Sequence, residues 1–178
     1  MRRKAALCLA AAVLAGCGGG SSPSSSPPAP CPRITILADG ADLTRYRDGA
    51  VPDIASMTSD ARLVGFNASC DYTRRREAVN VRISAIFDVE RGPVSTVPRV
   101  TLPWFIAVTD AGDGQIIERR DYVTPVVFEG NANRVRVAST PVLFSFPAEE
   151  RLVENHNVRL SFQLTPEELA VNRRRGPR

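Results

Sequence analysis

The side chains able to do chemistry in this 178-residue chain are one histidine, four cysteines, and 19 carboxylates set among 23 basic residues. His156 stands alone in Glu154-Asn155-His156-Asn157, a stretch that reads as a loop between strands. As a general base it would need a nucleophile within hydrogen-bond reach, and as a metal ligand it would need further His or Cys partners. Its sequence neighbourhood supplies neither. The Asp110–Asp121 window has acids at both ends, but Gly112 and Gly114 fall where a calcium loop places inner ligands. Ala111–Gly114 reads better as a hairpin turn. No nucleophile elbow, zinc-protease, dinucleotide or phosphate-loop motif occurs. The reading is a non-catalytic chain with no cofactor and no metal site.

The cysteines say more. Residues 1–17, MRRKAALCLAAAVLAGC, join a positive start to an apolar run from Ala5 to Gly16 that is too short to span a bilayer. With Leu14-Ala15-Gly16-Cys17 at its end, this segment resembles the signal and lipobox of bacterial lipoproteins. The resemblance implies that residues 1–16 are removed and that Cys17 carries a diacylglyceryl thioether and an acylated amine. Burial at about 0.8 kcal/mol per CH₂ would make such an anchor effectively permanent. Gly18, where an Asp would favour inner-membrane retention, implies the outer membrane facing the periplasm. Cys8 leaves with the signal and Cys17 takes lipid, so Cys31 and Cys70 remain in an oxidising compartment, where two thiols most often pair. A redox or metal role for them lacks a CxxC spacing or a nearby histidine.

Charge argues against a nucleic-acid partner. Losing Arg2, Arg3 and Lys4 with the signal takes the 23 basic residues to 20, against 19 acidic ones. Four of those 20 (Arg173, Arg174, Arg175 and Arg178) end the chain, so the body before them is mildly acidic. Arg74-Arg75-Arg76 reads as a solvated turn. The C-terminal arginines suit the negative end of a helix dipole.

These residues must be positioned by strands. Residues 18–30 are Gly, Ser and Pro, a tether that buries nothing and keeps the domain close to its membrane. From Cys31 the apolar residues recur with period two. Arg33–Ala38 is a first strand and Ala61–Tyr72 a second. Ala78–Glu90 is the clearest, with Val79, Val81, Ile83, Ala85, Phe87 and Val89 on one face. Gly92-Pro93 breaks that run. Val100–Asp110 follows, its Pro103 implying a bulge or an edge position. Gln115–Phe128, Arg134–Phe146 and Asn157–Leu164 complete the set. About seven strands at this spacing predict an all-β antiparallel sandwich of immunoglobulin- or fibronectin-like architecture. Thr165-Pro166-Glu167-Glu168 then starts a short C-terminal helix with a capping box, docked through Leu169. The expected layout is signal 1–16, lipidated Cys17 and tether 17–30, sandwich 31–172 and basic tail 173–178.

Asp39–Ser59 reads as a polar excursion some twenty residues long, a length that is often functional in a small domain. Asp42, Arg45, Tyr46, Arg47 and Asp48 alternate in charge around one aromatic ring. That composition suits contact with a protein, or equally a strap over a sandwich edge. The Cys31-Pro32 start, the Ile36–Gly49 segment and the Phe162–Arg175 close are similar to those of small proteobacterial lipoproteins, a resemblance that implies no particular activity. The expected function is a lipid-anchored scaffold or accessory subunit that binds another envelope protein. The alternative is a small-molecule or lipid carrier with its pocket between the sheets.

Overall fold

The computed structural model describes residues 27–176, so the signal, Cys17 and the tether up to residue 26 lie outside it. Within that range nine strands form two sheets. They are β1 (Arg33–Ile36), β2 (Asp42–Tyr46), β3 (Met57–Tyr72), β4 (Ala78–Arg91), β5 (Arg99–Asp110), β6 (Ile116–Val127), β7 (Arg134–Ala138), β8 (Val142–Pro147) and β9 (His156–Phe162). One sheet runs β1-β9-β5-β6; the other runs β2-β3-β4, with β7 and β8 both paired to the far side of β4. Every pairing is antiparallel except that of β1 with β9. The result is a mostly antiparallel sandwich. Two short helices accompany the strands, α1 (Glu150–Glu154) and α2 (Pro166–Arg175).

Period-two patterning forms the core. The six alternating apolar residues of β4, Val79 to Val89, are all buried, and they share a core with Leu102, Trp104 and Ile106 of β5 and Leu160 and Phe162 of β9. The Phe87 ring lies edge-on to Trp104 with centroids 5.8 Å apart, and 5.5 Å from Phe162. Trp104 Nε1 donates to Thr124 Oγ1 at 3.0 Å, which satisfies the one polar atom of that indole in an otherwise apolar layer.

A bulge in β3 decides where the disulfide forms. The register with β4 shifts between Leu63 and Gly65, leaving Val64 as the extra residue. Before it the inward residues are odd-numbered (Ala61, Leu63); after it they are even-numbered (Phe66, Cys70, Tyr72). One inserted residue exchanges the two faces of a strand. Cys70 therefore turns inward and bonds Cys31, just ahead of β1, with 5.7 Å between their Cα atoms.

Several expectations need correction. The polar excursion is not a free loop, since it holds β2, a 3-10 turn at Ala38–Gly40 and the start of β3. Arg134–Phe146 is two strands, not one. The break falls at Ser139-Thr140-Pro141, where Ser139 Oγ accepts from the Ala85 N–H at 3.0 Å and Pro141 has no N–H to give. For Pro103 the expectation is a bulge or an edge position; the bulge of this ladder lies instead opposite Val108 and Thr109, with Ile117 of β6 as the extra residue. Pro103 faces β9 just past its last paired residue, where its carbonyl accepts from Gln163 and no donor is missed. His156 opens β9 instead of lying in a loop, and α1 precedes it.

The α2 capping box forms as expected, with Glu168 N–H donating to Thr165 Oγ1 at 3.2 Å and Thr165 N–H to Glu168 Oε2 at 2.8 Å. The helix takes in Arg173, Arg174 and Arg175 as its last turn, so the expected tail boundary at residue 173 falls inside it. Leu169 is half-buried, and Asn172 is the lock. Its buried Nδ2 donates to the carbonyls of Asp39 and Asp42, each at 2.8 Å. Asn172→Ala removes both donors and is expected to cost about 1–3 kcal/mol. Hydrogen exchange should show the amides of α2 opening well before those of β4; equal protection would contradict the lock.

Candidate functional site

The five residues singled out by charge alternation divide between two environments. Asp42 is 4% exposed and faces its own chain, 3.1 Å from Arg62 Nε and 3.5 Å from Arg175. Arg45 reaches Glu168 of α2 at 3.9 Å, and its carbonyl accepts from Thr58 Oγ1. Both therefore serve to hold α2 against the β2 edge. Tyr46, half-buried, ends β2. Arg47 and Asp48 pass into an exposed turn with Gly49 at φ 72°, a conformation that suits glycine.

Beyond that turn lies a feature that charge alone did not signal. Val51 and Ile54 are 77% and 79% exposed, the most exposed large apolar side chains among the described residues. The backbone that carries them is hydrogen-bonded in place. Asp53 caps the 3-10 turn Ile54–Ser56, accepting from Ser56 N–H at 2.8 Å, while Ser56 Oγ donates to the Val51 carbonyl at 2.6 Å. Residues 47–54 thus form a braced tip with two apolar side chains in solvent and Arg47 and Asp48 beside them. Two hydrophobes within four residues, bracketing the turn-forming Pro52-Asp53, were the available sequence signal.

Phe87, Trp104, Phe144 and Phe162 pack fully buried between the sheets, where the binding-module alternative places its pocket. A recess of about 700 Å³ lies instead on the outer face of the β1-β9-β5-β6 sheet, under α2. Leu37, Phe105, Leu164 and Leu169 line it with Arg119 and Arg173 at its mouth. Both arginines already have partners: Arg119 stacks 3.9 Å over the Phe105 ring and reaches Asp121 at 3.0 Å, and Arg173 reaches Asp39 at 3.0 Å.

His156, Arg76 and Asp88 each have a partner within the chain. His156 packs its ring on Phe146 at 5.4 Å and turns Nδ1 to the Leu152 carbonyl. Arg76 lies 4.2 Å over the Tyr72 ring at the β3–β4 turn. Asp88 takes a two-pronged contact from Arg136 at 2.6 and 2.7 Å, and that guanidinium holds its carboxyl below the usual range. Among the described residues no group of three or more His, Cys, Asp or Glu is arranged to hold a metal ion.

Asp113, in the β5–β6 turn at φ 57°, gathers a dense polar network. Arg159 contacts both of its oxygens, at 3.1 and 2.6 Å, and Thr109 and Asn157 donate to Oδ1. Arg159, then Thr109, lower its pKa from the usual 3.8 to about 2. A carboxylate depressed in the folded state stabilises fully above pH 3.8 and loses that contribution as pH falls through about 2. Wild type should therefore lose stability across that window more steeply than Asp113→Asn, as followed by thermal melts at stepped pH. Parallel curves would contradict the assignment.

Compared with protein-family models, with curated proteins and with solved structures, the chain matches none.

Proposed function

We propose that the chain is a lipid-anchored protein of the bacterial cell envelope, held through Cys17 in the outer membrane and facing the periplasm. Its sandwich binds another envelope protein and catalyses no reaction. The export signal, the Cys17 position and the short tether support the anchoring, and the Cys31–Cys70 disulfide suits an oxidising compartment. One observation carries the binding reading, the braced tip that keeps Val51 and Ile54 in water. A backbone already braced by hydrogen bonds has little further order to lose when a partner covers the side chains it carries. The finer architecture is immunoglobulin- or fibronectin-like. The crossovers β4→β5 and β8→β9 leave β4 beside β8 in one sheet and β5 beside β9 in the other, a Greek-key interlock.

The test is capture from crosslinked membranes using the full chain and its Val51→Asp/Ile54→Asp variant. Both side chains are exposed, so the melting temperature should hold while a specific partner is lost. Absence of any specific partner on wild type, or equal capture by both, would contradict the reading.

The recess under α2 favours a second reading, an amphipathic ligand with an apolar body and a small anionic head able to displace Asp39 or Asp121 from its arginine. Native mass spectrometry showing a stoichiometric adduct that Leu169→Asp abolishes would support it. A bare mass from native membranes would count against it.

A further inference from the structure

The β6 strand is the last member of its sheet and pairs only with β5, which leaves one long side open. Two backbone bonds fix which of its groups face outward. Phe128 N–H donates to Pro98 O across the β5–β6 ladder, and Gln163 N–H donates to Pro103 O on the opposite side of β5. Backbone direction alternates along an antiparallel strand. The even-numbered residues from Glu118 to Val126 therefore bond β5, while Arg119, Asp121, Val123 and Val127 turn N–H and C=O, and Pro125 its C=O, toward the open edge. Pro125, which has no N–H, sits where none is needed.

The same odd-numbered residues point their side chains outward. Val123 is 62% exposed, and Ile117, the extra residue of the bulge at the start of the strand, is 53% exposed. The bulge at Ile117, the charges of residues 118–121 and Pro125 guard this edge against indiscriminate pairing, so a strand that adds to it must match them. The occupant is set by charge. In a two-fold antiparallel pairing centred on Arg120, Arg119 lies opposite Asp121 of the second copy, and Asp121 opposite its Arg119. Ile117 and Val123 meet at both ends. On this outward face, moving the centre to residue 119 sets Arg119 opposite itself and moving it to 121 sets Asp121 opposite itself, so only the register centred on Arg120 gives opposite charges there. Arg120, at the centre, lies opposite Arg120 of the second copy on the other face, and the two charges are kept apart because Glu118 at 2.6 Å and the Leu143 carbonyl at 2.9 Å draw each guanidinium back over the Phe144 ring of its own chain.

We propose that two copies of this chain pair antiparallel through β6, in the register centred on Arg120, to form one continuous eight-stranded sheet. This does not depend on the anchor or on the tip of residues 47–54, which is a separate surface.

The test uses the full chain with Cys17→Ser, so that acyl chains cannot drive association, and reads mass by sedimentation across micromolar to millimolar concentrations. Wild type is expected to dimerise. Arg119→Asp sets Asp against Asp and Asp121→Arg sets Arg against Arg, so each alone should dimerise at least about tenfold more weakly. An equimolar mixture of the two should regain the dimer as a heterodimer, and the double variant carrying both changes should regain it as a homodimer. Recovery in the mixture separates register from any folding defect, because misfolded chains would not rescue one another. A wild type that stays monomeric, a dimer indifferent to the single variants, or a mixture no better than its components would overturn the proposal. Photo-crosslinking from position 123 into a different protein, with no self-crosslink, would also overturn it and name a foreign strand as the occupant.

Discussion

Trp104→Ala is expected to destabilise the fold by about 3–5 kcal/mol, the range for removing a large aromatic side chain from a packed core. Trp104 is 1% exposed and central to the aromatic layer that fills the sandwich, against Phe87 on the opposite sheet and Tyr122 at 4.9 Å on its own. Alanine would leave a cavity spanning both sheets. It would also strip Thr124 Oγ1 of the donor it has in the wild type, which adds to the cost because a buried polar group loses its partner. For a folded domain near 150 residues, that loss lowers the melting temperature by roughly 10 °C. Trp104 is the single tryptophan, so the variant should be followed by circular dichroism or calorimetry instead of by indole fluorescence. A loss below about 1 kcal/mol would mean that the sheets do not meet around this ring.

Removing the Cys31–Cys70 bond, as Cys31→Ser/Cys70→Ser, is expected to cost about 4 kcal/mol in the chain-entropy description of a closed loop. The sequence separation is 39, and the segment it encloses includes β1, β2 and most of β3. β1 has only four residues, all paired in parallel with β9, so the covalent tie supplies much of what keeps it in place. Without the tie, β1 should exchange its amide protons early while β4 remains protected to near the global limit. Chemical denaturation in matched oxidising and reducing buffers measures the cost. Indistinguishable midpoints would contradict it.

The parts of this fold that sequence made legible are those where one physical rule acts alone. β4 is buried on one face and polar on the other, so its alternation reads directly. The α2 start is local chemistry, because Thr165, Pro166 and Glu168 need no tertiary partner to form their cap. Where two rules compete, sequence reading failed. β2 buries Leu43 and Asp42 while its remaining residues are polar and half-buried, so it lacks the alternating signature. Its polar groups are satisfied by α2, more than a hundred residues away in the chain. The division of Arg134–Phe146 did leave a trace. Val135 and Val137 are odd-numbered, whereas Val142, Phe144 and Phe146 are even-numbered, a slip of phase that one continuous strand cannot carry. Gly92 reads as a chain breaker, but its role is closeness: a Cβ there would lie 2.0 Å from the Met57 carbonyl oxygen.

The candidate site was less legible than the fold. Charge alternation drew attention to Asp42, Arg45, Tyr46, Arg47 and Asp48, yet Asp42 and Arg45 face α2 within the chain. The exposed apolar pair Val51 and Ile54 lay beside them, and exposure of a hydrophobic side chain cannot be read from its type. The open edge of β6 needed the order of strands in the sheet, which no local pattern encodes.

Compartment, redox state and reach all follow from what happens at Cys17. Intact-mass analysis of the chain taken from native membranes measures this most directly. The expected mass is that of residues 17–178 with one disulfide plus a diacylglycerol and an N-acyl group, with the lipid increment absent from a Cys17→Ser strain. A mature chain with a free, unacylated N-terminus, or one cut at another residue, would contradict the envelope assignment.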